Sequence, residues 1–208
     1  MTGVAPPRTR RQRLRDELLN APNLVTLARL ACIPACLYLL AWESRRNCFF
    51  AAVIFSLAAL ADVLDGYLAR ISNKVTTLGK FLDPLADKLI VLSALVMLVR
   101  LGRVPTWVVI VILARELLIS GLRTIAVSEG LVISASQGGK WKTSMQLTGI
   151  VFLLVHYHFA IDWLVATVLT DFHAIGLALL YLSLVPSLVS AADYVRAFYT
   201  LDTSGGRG

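Results

Sequence analysis

Long apolar segments separated by short polar stretches make up most of this chain. Six of them are roughly 17–25 residues long, the length that a helix needs to cross a ~30 Å hydrocarbon layer. They span about residues 24–42, 48–70, 82–101, 106–127, 141–158 and 173–197. Residues 159–171 are apolar but too few to cross, so we expect them to end the fifth span or to lie at the interface. The pattern predicts an all-α integral membrane protein with six transmembrane helices.

Composition agrees with this prediction. The 208 residues are 57% hydrophobic, with a mean hydropathy of +0.73, which is more apolar than a soluble domain. Three cysteines show no metal-ligand or redox spacing, so we expect them to pack in the interior. We divide the chain into a basic N-terminal segment (1–23), a six-helix domain (24–198) and a polar tail (199–208).

The distribution of Lys and Arg predicts the orientation. Thirteen of these residues lie in the N-terminal segment, the loops after spans two and four, and the C-terminal end, against four in the loops of the opposite side. Cytoplasmic loops carry the excess of Lys and Arg in membrane proteins. We therefore expect a protein of the inner (cytoplasmic) membrane, with both termini in the cytoplasm.

The N-terminal segment is basic and also carries apolar side chains. Leu14, Leu18 and Leu19 would dip into the bilayer if the segment formed a juxtamembrane amphipathic helix on the anionic leaflet. A disordered tail that only enforces the topology is the alternative. The net charge of +7 fits a membrane surface, and no aromatic or basic groove pattern predicts nucleic-acid binding.

Four carboxylates at the ends of spans two and three are the strongest chemical signal. An ionisable group in a membrane helix costs about 2.5–3.5 kcal/mol even on the lenient insertion scale. Asp62 and Asp65 are three residues apart, and Asp83 and Asp87 are four apart, so each pair shares a helix face. Oxygen-only clusters suit Mg²⁺ or Mn²⁺. The spacing predicts a divalent-metal site at the cytoplasmic face.

Small and basic residues flank these acids. Gly66 and Gly79 allow either close approach of a ligand or close helix packing. Arg70 lies one turn beyond Gly66, where it would either pair with phosphate or anchor the helix at the cytoplasmic surface.

Together these residues resemble the signature of the CDP-alcohol phosphotransferase family. The matching positions, with the family's spacing, are Asp62, Asp65, Gly66, Ala69, Arg70, Gly79, Asp83 and Asp87. The resemblance implies a six-helix, generally homodimeric membrane enzyme that displaces CMP from a CDP-linked lipid by attack of an acceptor hydroxyl. It also implies that the four aspartates ligate two Mg²⁺ or Mn²⁺ ions and that Asp87 is the general base. A CDP-lipid site is implied at Asp65, Gly66, Ala69, Arg70 and Gly79.

Cations in spans four and five indicate an anionic acceptor. Arg115 and Arg123 are eight residues apart in span four, and Lys140 and Lys142 begin span five. An acceptor that carries a phosphate would favour this arrangement, whereas serine or a neutral polyol would not. The neighbouring Glu116 is either part of a structural ion pair with Arg115 or part of the site.

Over about residues 22–147 the chain resembles the phosphatidylglycerophosphate synthases within that family. The resemblance implies that the substrates are CDP-diacylglycerol and sn-glycerol 3-phosphate. It places the acceptor phosphate at Arg115, Arg123 and Lys140, with Thr26, Arg29 and Lys142 as further candidates. Two alternatives stay open: a cardiolipin synthase whose acceptor is phosphatidylglycerol, and a divalent-cation transporter that uses the aspartates as its binding site.

Overall fold

A computed structural model describes residues 21–72, 77–128, 138–163 and 166–205 of the chain, with side chains described over 23–61, 82, 85–128, 142–158 and 170–198. Six helices and one β-hairpin lie within these ranges. The helices are α1 (Ala21–Ala41), α2 (Arg45–Ser72), α3 (Thr77–Arg100), α4 (Thr106–Ser128), α5 (Gly138–Val155) and α6 (Phe172–Gly205). The strands are β1 (His158–Trp163) and β2 (Ala166–Asp171). The proposed N-terminal amphipathic helix falls almost entirely outside the described residues.

Each of the six helices coincides with one of the predicted apolar segments. The beginnings differ from the prediction by at most five residues, and α6 continues to Gly205, into the segment that we had assigned to a polar tail. The helical prediction is therefore confirmed, because long apolar runs satisfy their backbone hydrogen bonds locally.

The hairpin corrects the all-α prediction for residues 159–171. α5 ends at Val155, so this segment does not extend the fifth helix. β1 and β2 pair antiparallel, from His158 opposite Asp171 to Trp163 opposite Ala166, which leaves a two-residue connection. Two-residue connections are the commonest in hairpins. Asp171 then accepts a hydrogen bond from the Ala174 amide at 3.1 Å and caps the start of α6.

All six helices contribute to one apolar core. Its fully buried side chains include Leu40, Phe55, Leu95, Val108, Ile150 and Leu180, one from each helix. α5 packs against α2, α3 and α6, and Gly149 of α5 lies against Gly176 of α6. Small residues let membrane helices approach closely, so this pair of glycines determines how tightly α5 and α6 pack.

Three inter-helix connections meet at one end of the bundle. The Tyr157 hydroxyl donates to the Glu43 carbonyl, which joins the end of α5 to the α1–α2 turn. Arg103, in the α3–α4 turn, is only 3% exposed and donates to the Leu153 and Leu154 carbonyls at 3.2 and 3.0 Å. It therefore satisfies carbonyls that the end of α5 would otherwise leave without donors. Successive helices consequently run antiparallel, and α2 and α4 end at the opposite end of the bundle.

The outer surface of the bundle is apolar. Two described helices, Asn23–Ala41 and Phe172–Phe198, are long and apolar enough to cross a membrane, each with a mean hydropathy of 2.0. Large apolar side chains on several helices are more than half exposed, among them Tyr38, Leu57, Leu117, Val127, Leu182 and Val185. An aqueous monomer rarely exposes so many large apolar side chains, so the protein is membrane-associated.

Candidate active site

The alternating direction of the helices places the last turns of α2 and the first turns of α3 at the same end of the bundle. Asp62 and Asp65 lie in the last three turns of α2, and Asp83 and Asp87 lie in the first three turns of α3. Both segments are helical, so each pair shares a helix face as predicted. The side chains of Asp62, Asp65 and Asp83 lie outside the described ones, whereas that of Asp87 is described and exposed.

A cavity of about 270 Å³ lies between α3, α4 and α5. Its polar lining comes from Asp87 and Lys88 of α3, Glu116 of α4, and Thr143 and Gln146 of α5. The other walls are apolar and are formed by Val91, Leu92, Leu95, Ile112, Leu113, Leu117 and Leu147. A few convergent polar groups in an otherwise apolar cavity are typical of a binding site.

An ion cluster adjoins this cavity. One oxygen of Glu116, Oε1, accepts hydrogen bonds from Arg115 Nη1 and from Lys142 Nζ, each at 2.7 Å. The Arg115 and Lys142 side chains are 11% and 5% exposed, against 33% for Glu116. Arg115 Nε also donates to the Ser187 carbonyl of α6 at 3.3 Å. The cluster thus links α4, α5 and α6 and holds two cations around one carboxylate.

A second contact joins the helix of Asp87 to that of Glu116. Lys88 Nζ donates to Ser120 Oγ, and Ser120 Oγ donates to the Glu116 carbonyl at 2.7 Å. Because Lys88 directly follows Asp87, this contact fixes α3 against α4 beside the cavity.

Comparisons with known proteins identify the family to which the chain belongs. The sequence profile described as CDP-alcohol phosphatidyltransferase matches residues 19–191. The chain belongs to the CDP-alcohol phosphatidyltransferase family.

Several curated proteins are similar to this member of the family. It is 42% identical over 151 residues to the CDP-diacylglycerol–glycerol-3-phosphate 3-phosphatidyltransferase of Bacillus subtilis (strain 168). The aligned residues cover 67% of this chain and 78% of that protein. It is 38% identical over 136 residues to the Rickettsia bellii protein of the same name, covering 65% of this chain and 75% of that protein. A probable phosphatidylglycerophosphate synthase of Mycobacterium tuberculosis (strain H37Rv) is 40% identical over 149 residues, which cover 70% of this chain and 71% of that protein.

The cations that we predicted to bind the acceptor phosphate do not all lie together in the structure. Arg115 and Lys142 meet at Glu116, so Glu116 forms the ion pair with Arg115 and a second one with Lys142, whose pairing with Glu116 was not predicted. Arg123 is exposed and lies eight residues along α4 from Arg115, a rise of about 12 Å. It therefore does not join the cluster.

The remaining predicted site residues are either buried or have side chains that lie outside the described ones. Thr26 and Arg29 are 2% and 3% exposed and lie on α1, which packs against α2 and α3. Lys140 lies in α5, but its side chain is outside the described ones. The same holds for the residues predicted to bind the CDP-lipid, which are Asp65, Gly66, Ala69, Arg70 and Gly79.

Sequence patterns did not predict several contacts of the site. The Lys88–Ser120 hydrogen bond joins residues 32 positions apart, and the Ser187 carbonyl that holds Arg115 is a backbone group. Neither carries a local signature. The Glu116–Lys142 pair had one available signal, because a lone carboxylate in an apolar helix requires a counter-charge.

Proposed function

We propose that this protein transfers the phosphatidyl group of CDP-diacylglycerol to sn-glycerol 3-phosphate, giving phosphatidylglycerophosphate and CMP in phospholipid biosynthesis. The observation that carries the proposal is the shared cavity, which Asp87 lines from α3 and the Arg115–Glu116–Lys142 cluster adjoins from α4 and α5. The names of the similar bacterial proteins specify the same pair of substrates.

In the proposed reaction, the acceptor hydroxyl oxygen attacks the phosphorus that bears the diacylglycerol. A P–O bond forms there while the P–O bond to CMP breaks, and CMP leaves with that electron pair. The hydroxyl proton passes to a carboxylate, for which we propose Asp87 because its exposed side chain lines the cavity. The CDP-lipid would bind beside it, at Asp65, Gly66, Ala69, Arg70 and Gly79.

We propose a divalent-metal site on the same two helices. Asp62, Asp65, Asp83 and Asp87 provide oxygen ligands only, which is the donor set that Mg²⁺ and Mn²⁺ prefer. Two such ions, when bound, would neutralise the charge of the CDP-lipid pyrophosphate and stabilise the departing CMP. The described residues contain no cluster of three or more potential metal ligands, since three of the four aspartate side chains lie outside them.

The acceptor phosphate is proposed to bind at Arg115 and Lys142. These two cations are balanced by one carboxylate, so the cluster keeps one net positive charge beside the cavity. A phosphate monoester would bind there through charge-assisted hydrogen bonds. Arg123, which is exposed, and Lys140 would contribute to the approach of the anion, whereas Thr26 and Arg29, which are buried on α1, stay candidates for the acceptor site.

The membrane arrangement is part of the proposal. We propose six membrane-spanning helices from the lengths of the apolar segments, and both termini and the active site on the cytoplasmic side of the inner membrane from the Lys and Arg distribution. The antiparallel order of the helices supports it, because α2 and α4 end on the same side of the bundle, and the Lys and Arg residues that follow them in the sequence are part of the excess. We also propose that the protein is a homodimer.

A purified-protein assay of CMP release tests the proposal. CDP-diacylglycerol is offered with glycerol 3-phosphate, phosphatidylglycerol, serine or inositol phosphate, each with and without Mg²⁺ or Mn²⁺. We expect CMP release with glycerol 3-phosphate that depends on the metal. Turnover with phosphatidylglycerol alone would instead indicate cardiolipin synthesis. Metal flux into liposomes without CMP release would indicate a transporter.

A further inference from the structure

We infer that Glu116 is a positioning residue that holds Arg115 and Lys142 close together, so that both cations can bind the acceptor phosphate. The inference rests on the proposed function, since it concerns the acceptor site of that reaction. It begins from the single oxygen, Glu116 Oε1, that accepts from both cations at 2.7 Å.

This shared oxygen limits the separation of the two cations. Because Arg115 Nη1 and Lys142 Nζ are both 2.7 Å from Oε1, they cannot be further apart than twice that distance. Two donors at such a separation can bind the oxygens of one phosphate group. Without the carboxylate, two positive groups this close would repel each other, and Lys142 would be a buried cation lacking a counter-charge.

Both cations keep donors for a ligand. A guanidinium group has five N–H donors and an ammonium group has three. Arg115 uses Nε for the Ser187 carbonyl and Nη1 for Glu116, and Lys142 makes one hydrogen bond, to Glu116. Within the described part of the chain, three N–H groups of Arg115 and two of Lys142 therefore make no hydrogen bond.

The location of Glu116 places this pair of cations beside the cavity of the proposed reaction. Glu116 lines the same cavity as Asp87, and its backbone carbonyl accepts from Ser120, which in turn accepts from Lys88. The Glu116 carboxylate thus orders the cations at the edge of the cavity that Asp87, the proposed general base, also lines. Its role is to position Arg115 and Lys142, not to contact the reacting phosphorus.

The test compares the KM values for the two substrates in Glu116→Gln. This variant removes the negative charge of the side chain and keeps its shape. We expect the KM for glycerol 3-phosphate to rise about tenfold or more, because charge-assisted hydrogen bonds order both cations. The KM for CDP-diacylglycerol should change less than twofold. Glu116→Asp, which restores the charge on a shorter side chain, should recover part of the affinity. Asp193→Asn, the same change at an exposed position of α6, serves as the matched control and should match the wild type.

A double-variant cycle keeps the inference testable if Glu116→Gln folds poorly. Lys142→Met removes the more deeply buried cation, so that Glu116→Gln leaves only Arg115 without a carboxylate, and Arg115 keeps its hydrogen bond to the Ser187 carbonyl; the double variant should therefore fold better than Glu116→Gln alone. If Glu116 acts through Lys142, adding Glu116→Gln to Lys142→Met should raise the KM for glycerol 3-phosphate by less than it does in the wild type. Fully additive effects, or equal increases in KM for both substrates, would overturn the inference. A wild-type protein that does not use glycerol 3-phosphate would instead overturn the proposed function.

Discussion

The α5–α6 crossing gives the sharpest prediction about stability, for the substitution Gly176→Ala. A Cβ atom on Gly176 would lie 2.9 Å from the Gly149 carbonyl oxygen, from Leu153 N and from Leu153 Cγ. Non-bonded carbon atoms prefer separations of about 3.5–4.0 Å. Two of the three contacted atoms belong to the backbone of α5, so a side-chain rotation cannot relieve the overlap. The two helices must separate instead.

The expected cost follows from two opposing effects. Overpacking in a well-packed interior costs about 1–3 kcal/mol. Replacing Gly by Ala within a helix recovers about 1 kcal/mol of helix propensity. We therefore expect Gly176→Ala to lower the free energy of unfolding by up to about 2 kcal/mol, which for a chain of this length corresponds to a fall in Tm of up to roughly 8 °C.

Gly121 provides the matched control, because it lies in α4 and a Cβ atom there would meet nothing within 4 Å. Gly121→Ala gains the same helix propensity without the overlap, so its Tm should stay unchanged or rise. Gly149→Ala should fall between the two, since its closest contact would be 3.0 Å. Thermal unfolding in detergent, followed by circular dichroism, measures all three variants. Equal Tm values for Gly176→Ala and Gly121→Ala would refute close packing at this crossing.

Four further predictions concern the site and the opposite end of the bundle. Asp87→Asn should reduce CMP release by at least about a hundredfold while the protein still binds CDP-diacylglycerol, and full activity would exclude Asp87 as the base. Arg115→Ala should raise the KM for glycerol 3-phosphate more than that for CDP-diacylglycerol; equal increases would contradict its place in the acceptor site. Arg103→Met should destabilise the protein by about 2–4 kcal/mol in thermal unfolding, because two buried carbonyls lose their donor, and an unchanged Tm would contradict this. Burial, with Arg103 and His173 nearby, lowers the pKa of His156, so the unfolded chain binds more protons and stability should fall as the pH drops below about 6.5. His156→Gln should reduce that pH dependence, and a pH profile identical to that of the wild type would refute this prediction.

The helices could be predicted from the sequence because their signal is local. Each apolar run forms its own backbone hydrogen bonds, so length and hydropathy were enough to find α1 to α6. The β-hairpin was missed because its strands are also apolar, and periodicity does not distinguish a short buried strand from the end of a helix. The glycine or asparagine that often marks a two-residue turn is also absent from residues 164–165.

The candidate site was predictable only in part. The carboxylate pairs could be assigned to one helix face each, because i, i+3 and i, i+4 spacing fixes direction once the segment is helical. The acceptor cations could not be sorted in the same way. Arg115 and Arg123 share a helix, yet the structure pairs Arg115 with Lys142, which is 27 positions away, because α4 and α5 bring both to Glu116.

The sequence by itself determined that this chain forms apolar helices, which of their ends carry the acids and cations, and to which family it belongs. These properties depend on residue type and on spacing within one helix or one motif. Only the tertiary structure decided which helices touch at Gly149 and Gly176, which cations share the Glu116 carboxylate, and that Asp87 and Glu116 line one cavity. The physical reason is that these contacts join distant parts of the chain, and the packing of whole helices, not any local pattern, selects them.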